Sequence, residues 1–346
     1  MALKIVTDTT RVNRGLWETF VRDHPDGNIY QMPCMYELYC NTRRQNPVIF
    51  FAFEEEELVG LMIVVQLRNV FPPFTFFTRR QIMFGGPLIK NNDSVILLAL
   101  VDALFKKTSG SVVYTEIRNY RLKLPLKPVY EEEGFHYEPY LTVVVDINRK
   151  QGELWASLSP ERKRNIEKLR EENSETRELV DEKEIKEAWN VLRASVLSTG
   201  RPMPAFSLME AIMNSERLKP QVRIKGLFVK GILKASVWLL LFEGRAHIWM
   251  EGNTLVQKDR WIYDGFLWDI ILELQKDGIS SLEMGNGGKP GKDILLRQYK
   301  KSYGGMIRET GRFIYVHNWF LWNLGRLFYR WYKKWRIFYF YKYYLK

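Results

Sequence analysis

Four histidines, His24, His136, His247 and His317, are scattered without the i,i+4 or short-loop spacing that a metal site needs. No G-x-S-x-G elbow and no cysteine–histidine signature is present, so covalent catalysis has no visible nucleophile. Gly285–Gly291 (GNGGKPG) lacks the Gly-Lys-Ser/Thr of a phosphate-cradling loop. It reads either as an active-site loop after a strand or as an ordinary turn. The remaining chemistry lies in carboxylates, guanidinium groups and amides. Glu251, ending a strand, and Asp264 are candidate bases or plain exposed carboxylates. Arg201, in Gly200-Arg201-Pro202-Met203-Pro204, offers a fork for phosphate or carboxylate, or is a surface-loop cation. Arg118-Asn119 ends a strand, a place where cleft residues gather. Gln31 is a cleft residue or part of a helix start. Arg162-Lys163-Arg164 is a solvated helix face or a polyanion contact.

The elements that must hold these groups are mixed α and β. Leu16–Val21 predicts a helix, and Val48–Phe53 and Leu58–Leu67 predict strands joined at the acidic tip Glu54–Glu57. Phe71-Pro72-Pro73-Phe74 cannot enter a central strand, because proline lacks the ladder N–H. Gln81–Phe84, Ser111–Ile117 and Leu141–Ile147 read as strands, and Ser94–Phe105 as a helix. In the second half, Ser159 before Pro160 suits an N-cap followed by a first-turn proline, opening a charged helix to about Asn173. Glu184–Ser195 and Ser207–Met213 predict further helices. Ile224–Val229, Ile232–Phe242 and Ala246–Glu251 form a meander turning at Lys230-Gly231 and Glu243-Gly244. Gly265–Lys276 is an amphipathic helix stopped by Asp277-Gly278, and Ser280–Met284 a strand. Each half thus offers a helical opening, a strand pair, a helix and a further strand. That grammar is a weak internal repeat or a chance match of generic elements.

The chain has 346 residues, 46% hydrophobic and 14% aromatic, which excludes wholesale disorder. Two cysteines, Cys34 and Cys40, cannot staple a core of this size, so packing in a reducing compartment is expected. No signal-peptide stretch and no transmembrane window is apparent, and mean hydropathy is −0.27. The net charge of +12 is unevenly placed. From Asn318 to Lys346, 29 residues carry seven cations, 14 aromatic rings and no acid, leaving +5 for the rest of the chain. Arg326, Arg330, Lys333 and Lys334 fall on one helical face, while Leu327, Phe328, Trp331 and Trp335 occupy another. Trp319, Trp322, Arg326, Arg330, Trp331, Lys333, Lys334 and Trp335 suit a membrane headgroup layer. RNA stacking and docking on the protein's own surface stay open beside that reading.

At four places the chain resembles the Fem-type peptidyl transferases and their relatives in the GNAT acyltransferase superfamily. Gly27-Asn28-Ile29-Tyr30-Gln31 with Met35 is similar to an early N-x-x-Q segment. Ser159–Lys168 looks like a basic R-x-N-I-x-K helix. Gly231–Phe242 with Ala246–Gly252 resembles the family hairpin. Leu282-Glu283-Met284-Gly285, followed by Tyr299-Lys300-Lys301-Ser302-Tyr303-Gly304-Gly305, resembles its glycine-ended strand and closing F/Y-K-x-x-F/Y-G-G. No one segment is specific, but the ordered set from 27 to 305 is.

The resemblance implies an α+β fold of tandem GNAT-like lobes, with mixed sheets flanked by helices and a substrate cleft between lobes. Boundaries are expected at 1–150 and 151–317, with a basic aromatic helix at 318–346. It implies transfer of an activated acyl or aminoacyl group to an amine on a cell-wall precursor or glycan. An amine attacking an ester or thioester needs placement and oxyanion stabilisation but no protein nucleophile. By resemblance Lys300 or Lys301 serves the oxyanion, Arg201 an anionic acceptor, and Tyr303 substrate binding. The co-substrate is acyl-CoA or aminoacyl-tRNA, with no metal and no tightly bound cofactor. The chain lacks the Q/R-x-x-G-x-G/A pyrophosphate loop and a long helical arm. Alternatives are acyl-CoA-dependent N-acetylation of an amino sugar, or a non-catalytic binding protein of the same fold. The expected place is the cytoplasm, peripheral on the inner membrane face.

Overall fold

The computed structural model describes residues 3–68, 79–108, 110, 112–201, 203–255, 257–292 and 295–344. The proline-rich Phe71–Phe74 stretch, Ser111 and Pro202 lie outside them. So do the side chains of Arg336, Lys342 and Lys346. The chain is α+β and divides into two compact units, neither of them contiguous in sequence.

The first unit comprises Met1–Tyr140, Pro204–Ser215 and Glu309–Trp331. Its strands are β1 (Leu3–Val6), β2 (Gln45–Glu54), β3 (Glu57–Leu67), β4 (Arg80–Gly85), β5 (Leu88–Ile89), β6 (Tyr114–Asn119) and β7 (His136–Glu138). Its helices are α1 (Arg14–Asp23), α2 (Pro33–Cys40), α3 (Ser94–Thr108) and α4 (Lys127–Glu132). The later segments add α8 (Phe206–Met213) and the strand β15 (Arg312–Val316). The sheet order is β1-β2-β3-β4-β6-β15-β7, with β5 also on β3. The acidic tip turns through Glu55 at φ 54°, where four like charges stay hydrated. β4 and β6 run parallel, which requires the crossover that α3 supplies. Phe50, Met62, Val64, Leu97, Leu100, Tyr130 and Phe313 share one core.

The second unit comprises Leu141–Met203, Glu216–Arg308 and Tyr332–Lys346. It holds β8 (Leu141–Asp146), α5 (Gln151–Ser157), α6 (Pro160–Arg170), β9 (Ser174–Glu178) and α7 (Glu182–Ser198). Then come β10 (Val222–Val229), β11 (Ile232–Phe242), β12 (Arg245–Asn253), α9 (Ile262–Lys276), β13 (Ser281–Gly288), α10 (Leu295–Lys301) and β14 (Met306–Glu309). The order is β14-β8-β13-β12-β11-β10-β9. Its plan matches the first sheet: an antiparallel meander, one parallel pair (β12 with β13, joined over α9), then an antiparallel strand. Lys230 and Glu243 both take positive φ at the meander turns, followed by glycine. The expected loop at Gly285–Gly291 is corrected in part, since β13 runs on to Gly288.

α6 starts as its sequence predicts, with Ser159 Oγ accepting from the Arg162 N–H at 3.4 Å and Pro160 in the first turn. Its buried residues are Arg162, Ile166 and Leu169, one stripe at i, i+4 and i+7. That stripe meets α9 at Gly265, where a Cβ would sit 2.2 Å from Leu169 Cδ2. Only glycine allows the two helix axes this close approach. The helix α11 (Trp319–Tyr344) closes the chain.

Candidate active site

In the second unit the parallel pair comes apart. β12 and β13 are in register at Arg245↔Ser281, Ala246↔Leu282 and His247↔Glu283. Beyond that point β13 pairs only with β8, through Asn286↔Thr142 and Gly288↔Leu141, while β12 follows β11 to Asn253. Two devices drive the parting. The β11–β12 register jumps between Trp238↔Met250 and Leu239↔Ile248, leaving Trp249 as an extra residue that bends β12. Gly285 sits at φ +66°, a conformation that a side chain would strain. The result is a wedge whose facing edges, beyond His247 and Glu283, lack each other as ladder partners.

Lys300, at the end of α10, reaches this wedge. It is 3% exposed, and its ammonium donates to the Met284 carbonyl on the β13 edge. The Glu251 carboxylate on β12 lies 3.9 Å from Lys300 Nζ and accepts a hydrogen bond from Tyr263 Oη at 2.8 Å. Burial pushes the Lys300 pKa down, Glu251 and Glu283 oppose that, and the nearby charge of Arg201 adds to it. At the wedge's root, Glu283 accepts from Thr142 Oγ1 at 3.2 Å and pairs with Arg308 at 2.9 Å. His247 Nδ1 stands 3.6 Å from the same carboxylate. The site therefore combines an ammonium, a carboxylate and open backbone edges. Such a set can orient an extended chain, accept a proton and face a developing negative oxygen.

Below it, Asp264 on α9 is 1% exposed and fully engaged. It pairs with Arg162 and accepts from Asn165 Nδ2 at 2.6 Å, Tyr299 Oη at 2.9 Å and Tyr303 Oη at 3.1 Å. The Arg162 guanidinium also lies over the Tyr299 ring, 4.9 Å from its centroid. Because Tyr299 and Tyr303 bracket Lys300 in sequence, this network fixes α10 and hence the ammonium. Asp264 is thus a positioning group, with no acceptor capacity left for base chemistry.

Burial also pushes the His247 pKa below its ordinary value near 6.5, with Glu283 opposing and Lys300 and Arg308 reinforcing. A folded chain that resists protonation binds fewer protons than the unfolded one as pH falls below about 6.5, so stability drops there. We expect urea midpoints to fall from pH 7 to pH 5, and His247→Gln to flatten that slope. An unchanged slope would remove His247 from the account.

The other sequence candidates are placed as follows. Lys301 is exposed at the helix end. Arg201 is exposed, its Nε donating to Thr199 Oγ1 at 2.9 Å. Gln31, in the first unit, is fully buried. Its Nε2 donates to the Phe84 carbonyl at 2.9 Å and its Oε1 accepts from Ile63 N–H at 3.0 Å. It clamps β4 to β3, each of its side-chain amide atoms holding a backbone partner. Arg118 pairs with Glu116 at 2.9 Å, and Arg312 pairs with the same carboxylate at 2.8 Å. Asn119, at the end of β6, is 6% exposed, and among the described residues neither of its amide atoms has a partner. Arg162 corrects the solvated-face expectation, since it is 8% exposed. Arg162 and Asn165, three residues apart on α6, both reach the Asp264 carboxylate. His247, Glu283, Tyr263 and Arg308 were not among the site candidates the sequence offered. Among the described residues no group of three His, Cys, Asp or Glu side chains could hold a metal ion.

Comparison with solved structures fits this geometry. FemX aligns with a TM-score of 0.70 at 12% identity, covering 94% of this chain and 99% of that one. A tandem GNAT protein from the clavulanic acid biosynthesis pathway aligns at 0.58 and 9% identity, covering 92% and 99%. The fold is that of the tandem GNAT proteins. A further neighbour is the C-terminal domain of a putative lysylphosphatidylglycerol synthetase from Agrobacterium fabrum. It aligns at 0.55 and 14% identity, covering 91% and 93%. No family model matches the chain. No curated protein matches it either. The tandem GNAT fold thus agrees with the two like-built sheets.

Proposed function

We propose that the chain is an acyltransferase that joins an activated acyl or aminoacyl group to an amine on a cell-wall precursor or glycan. The observation that carries this is the buried Lys300 ammonium, held on the parted edge of β13 and facing the Glu251 carboxylate. In the reaction the amine nitrogen attacks the donor carbonyl, an N–C bond forms, and the ester C–O or thioester C–S bond breaks. Lys300 faces the oxygen as it turns negative, and Glu251 takes the proton the amine loses. Glu251 then passes that proton to the leaving oxygen or sulfur, which regenerates the carboxylate with no enzyme-bound covalent stage. Tyr303 and Asp264 position Lys300. Arg201 is the candidate grip for an anionic acceptor. Asn119 and Arg118 are the first unit's candidate contacts for a polar substrate, Asn119 because its buried amide is unpartnered.

Acyl-CoA is the second donor reading, favoured by one feature: the freed edges of β12 and β13 suit an extended chain bearing amides. The acceptor of that reading is an amino sugar. The location that goes with either reaction is cytoplasmic, peripheral on the inner membrane face. The likeness to a domain of a putative lysylphosphatidylglycerol synthetase supports an acceptor linked to lipid. Titration of the purified chain with CoA thioesters and with charged tRNA, read by thermal shift, tests it. One donor class is expected to bind saturably and raise the melting temperature, by about 2.7 kcal/mol of stabilisation at a hundredfold excess over Kd. Binding of neither would leave a non-catalytic protein of this fold.

A further inference from the structure

We propose that the outward face of α11 is a lipid-contact surface that docks on an anionic bilayer, lying in the headgroup layer. The inference deepens the peripheral location given above and rests on that part of it alone, not on the reaction chemistry. α11 carries three strips. Leu321, Phe328 and Tyr332 are partly buried along one line, with the partly buried Trp322 and Leu324 on either side of it, and the Trp322 ring meets Tyr114 at 4.5 Å. Phe328, expected from sequence on the outward aromatic face, belongs to this inward strip. The second strip holds Phe320, Leu327, Trp331 and Phe338, exposed at 75%, 64%, 63% and 66%, with Trp335 beside them at 49%. Steps of seven, four and seven residues keep the first four on one side of a helix. The third strip holds Arg326, Arg330, Lys333 and Lys334, all exposed. At about 100° per residue it lies roughly a quarter turn from the aromatic strip.

A soluble surface has no use for five large apolar side chains in a row beside four cations. An interfacial helix needs that pairing. The apolar strip enters the acyl boundary while the adjacent cations meet lipid phosphates. No acid lies between Asn318 and Lys346 to satisfy those cations locally. No described helix is long and apolar enough to cross a membrane. Two alternatives fit less well. Stacking with RNA needs flat rings along the strip, and Leu327 offers none at its centre. Pairing with a second copy of this face sets cation strip against cation strip.

The test uses the full chain and two vesicle preparations, phosphatidylcholine alone and phosphatidylcholine mixed with phosphatidylglycerol. We expect sedimentation with the mixed vesicles and much weaker sedimentation with phosphatidylcholine. Arg330→Gln with Lys334→Gln should weaken binding by about 25-fold, each cation counting about fivefold near an anionic surface. Leu327→Ser with Trp331→Ser should weaken it on mixed vesicles at every salt concentration. Both pairs are exposed, so the fold tolerates them, and circular dichroism checks this. Equal sedimentation of wild type and both variants would overturn the proposal, as would no vesicle binding by the wild type. A tRNA gel shift abolished by Arg330→Gln/Lys334→Gln, with sedimentation unaltered, would assign the face to RNA instead. Donor titrations of the same variants report on the reaction separately, so either reading can fail alone.

Discussion

Lys300→Met is expected to lower acyl transfer by about 10²–10³-fold in kcat, the range for removing one oxyanion donor, with the donor Kd nearly unchanged. Lys301→Met, one residue on and exposed, should leave turnover within a factor of two or so of wild type. The pair separates a placed ammonium from a general positive charge at the end of α10. Stability should move the other way. Burial holds the Lys300 pKa below its ordinary value, so its charged form is disfavoured inside the fold relative to water. Below that lowered pKa both folded and unfolded chains carry the proton, and the burial cost is present in full. Only as pH rises through the lowered folded pKa toward the unfolded value does it ease, because the unfolded chain then binds more protons. Replacing the ammonium by a methionine of similar length should therefore leave the melting temperature unchanged or raised while activity falls. Full activity in Lys300→Met would sink the mechanism. So would a loss that merely tracks unfolding.

Asp264→Ala should destabilise the chain by about 3 kcal/mol in urea unfolding, since it removes the buried carboxylate of the Arg162 pair and leaves that guanidinium only the exposed Glu161. The same change strips Asn165, Tyr299 and Tyr303 of their shared acceptor. Arg162→Met combined with Asp264→Leu should recover much of the lost stability, because two apolar groups leave no charge unpaired. Activity should not recover with it. The two tyrosines that bracket Lys300 would still lack their anchor, and a shift of about 1 Å can cost on the order of a hundredfold in rate. A double variant that regains both stability and turnover would show that the network holds the fold without placing the ammonium.

Local chemistry was legible wherever a few neighbouring residues decide it. Ser159-Pro160 announced α6, and the Lys230-Gly231 and Glu243-Gly244 pairs announced both meander turns through their positive φ. The hairpin at Glu54–Glu57 followed from four like charges that must stay wet. Long-range pairing was not legible. Arg162 sits in a run of three cations, and nothing within its helix shows that one of them meets Asp264, about a hundred residues away. His247 and Glu283 become neighbours only through the parallel register of β12 and β13, which an α9 crossover separates in sequence. Gln31 looked like a cleft amide because its type fits one, yet two backbone groups consume it. The strand expected at Ser111–Ile117 lies at Tyr114–Asn119, displaced because hydrophobicity marks a strand's middle better than its ends.

In the first sheet β15 stands between β6 and β7 and bonds to both, although it lies far downstream of either. During synthesis, then, the N-terminal unit cannot finish when its first 140 residues leave the ribosome. β6 keeps a bare edge, and β7 has no sheet to join, until Arg312–Val316 emerges. The sheet begun first is the sheet completed last, and over that interval its open edge is exposed to pairing with a neighbour.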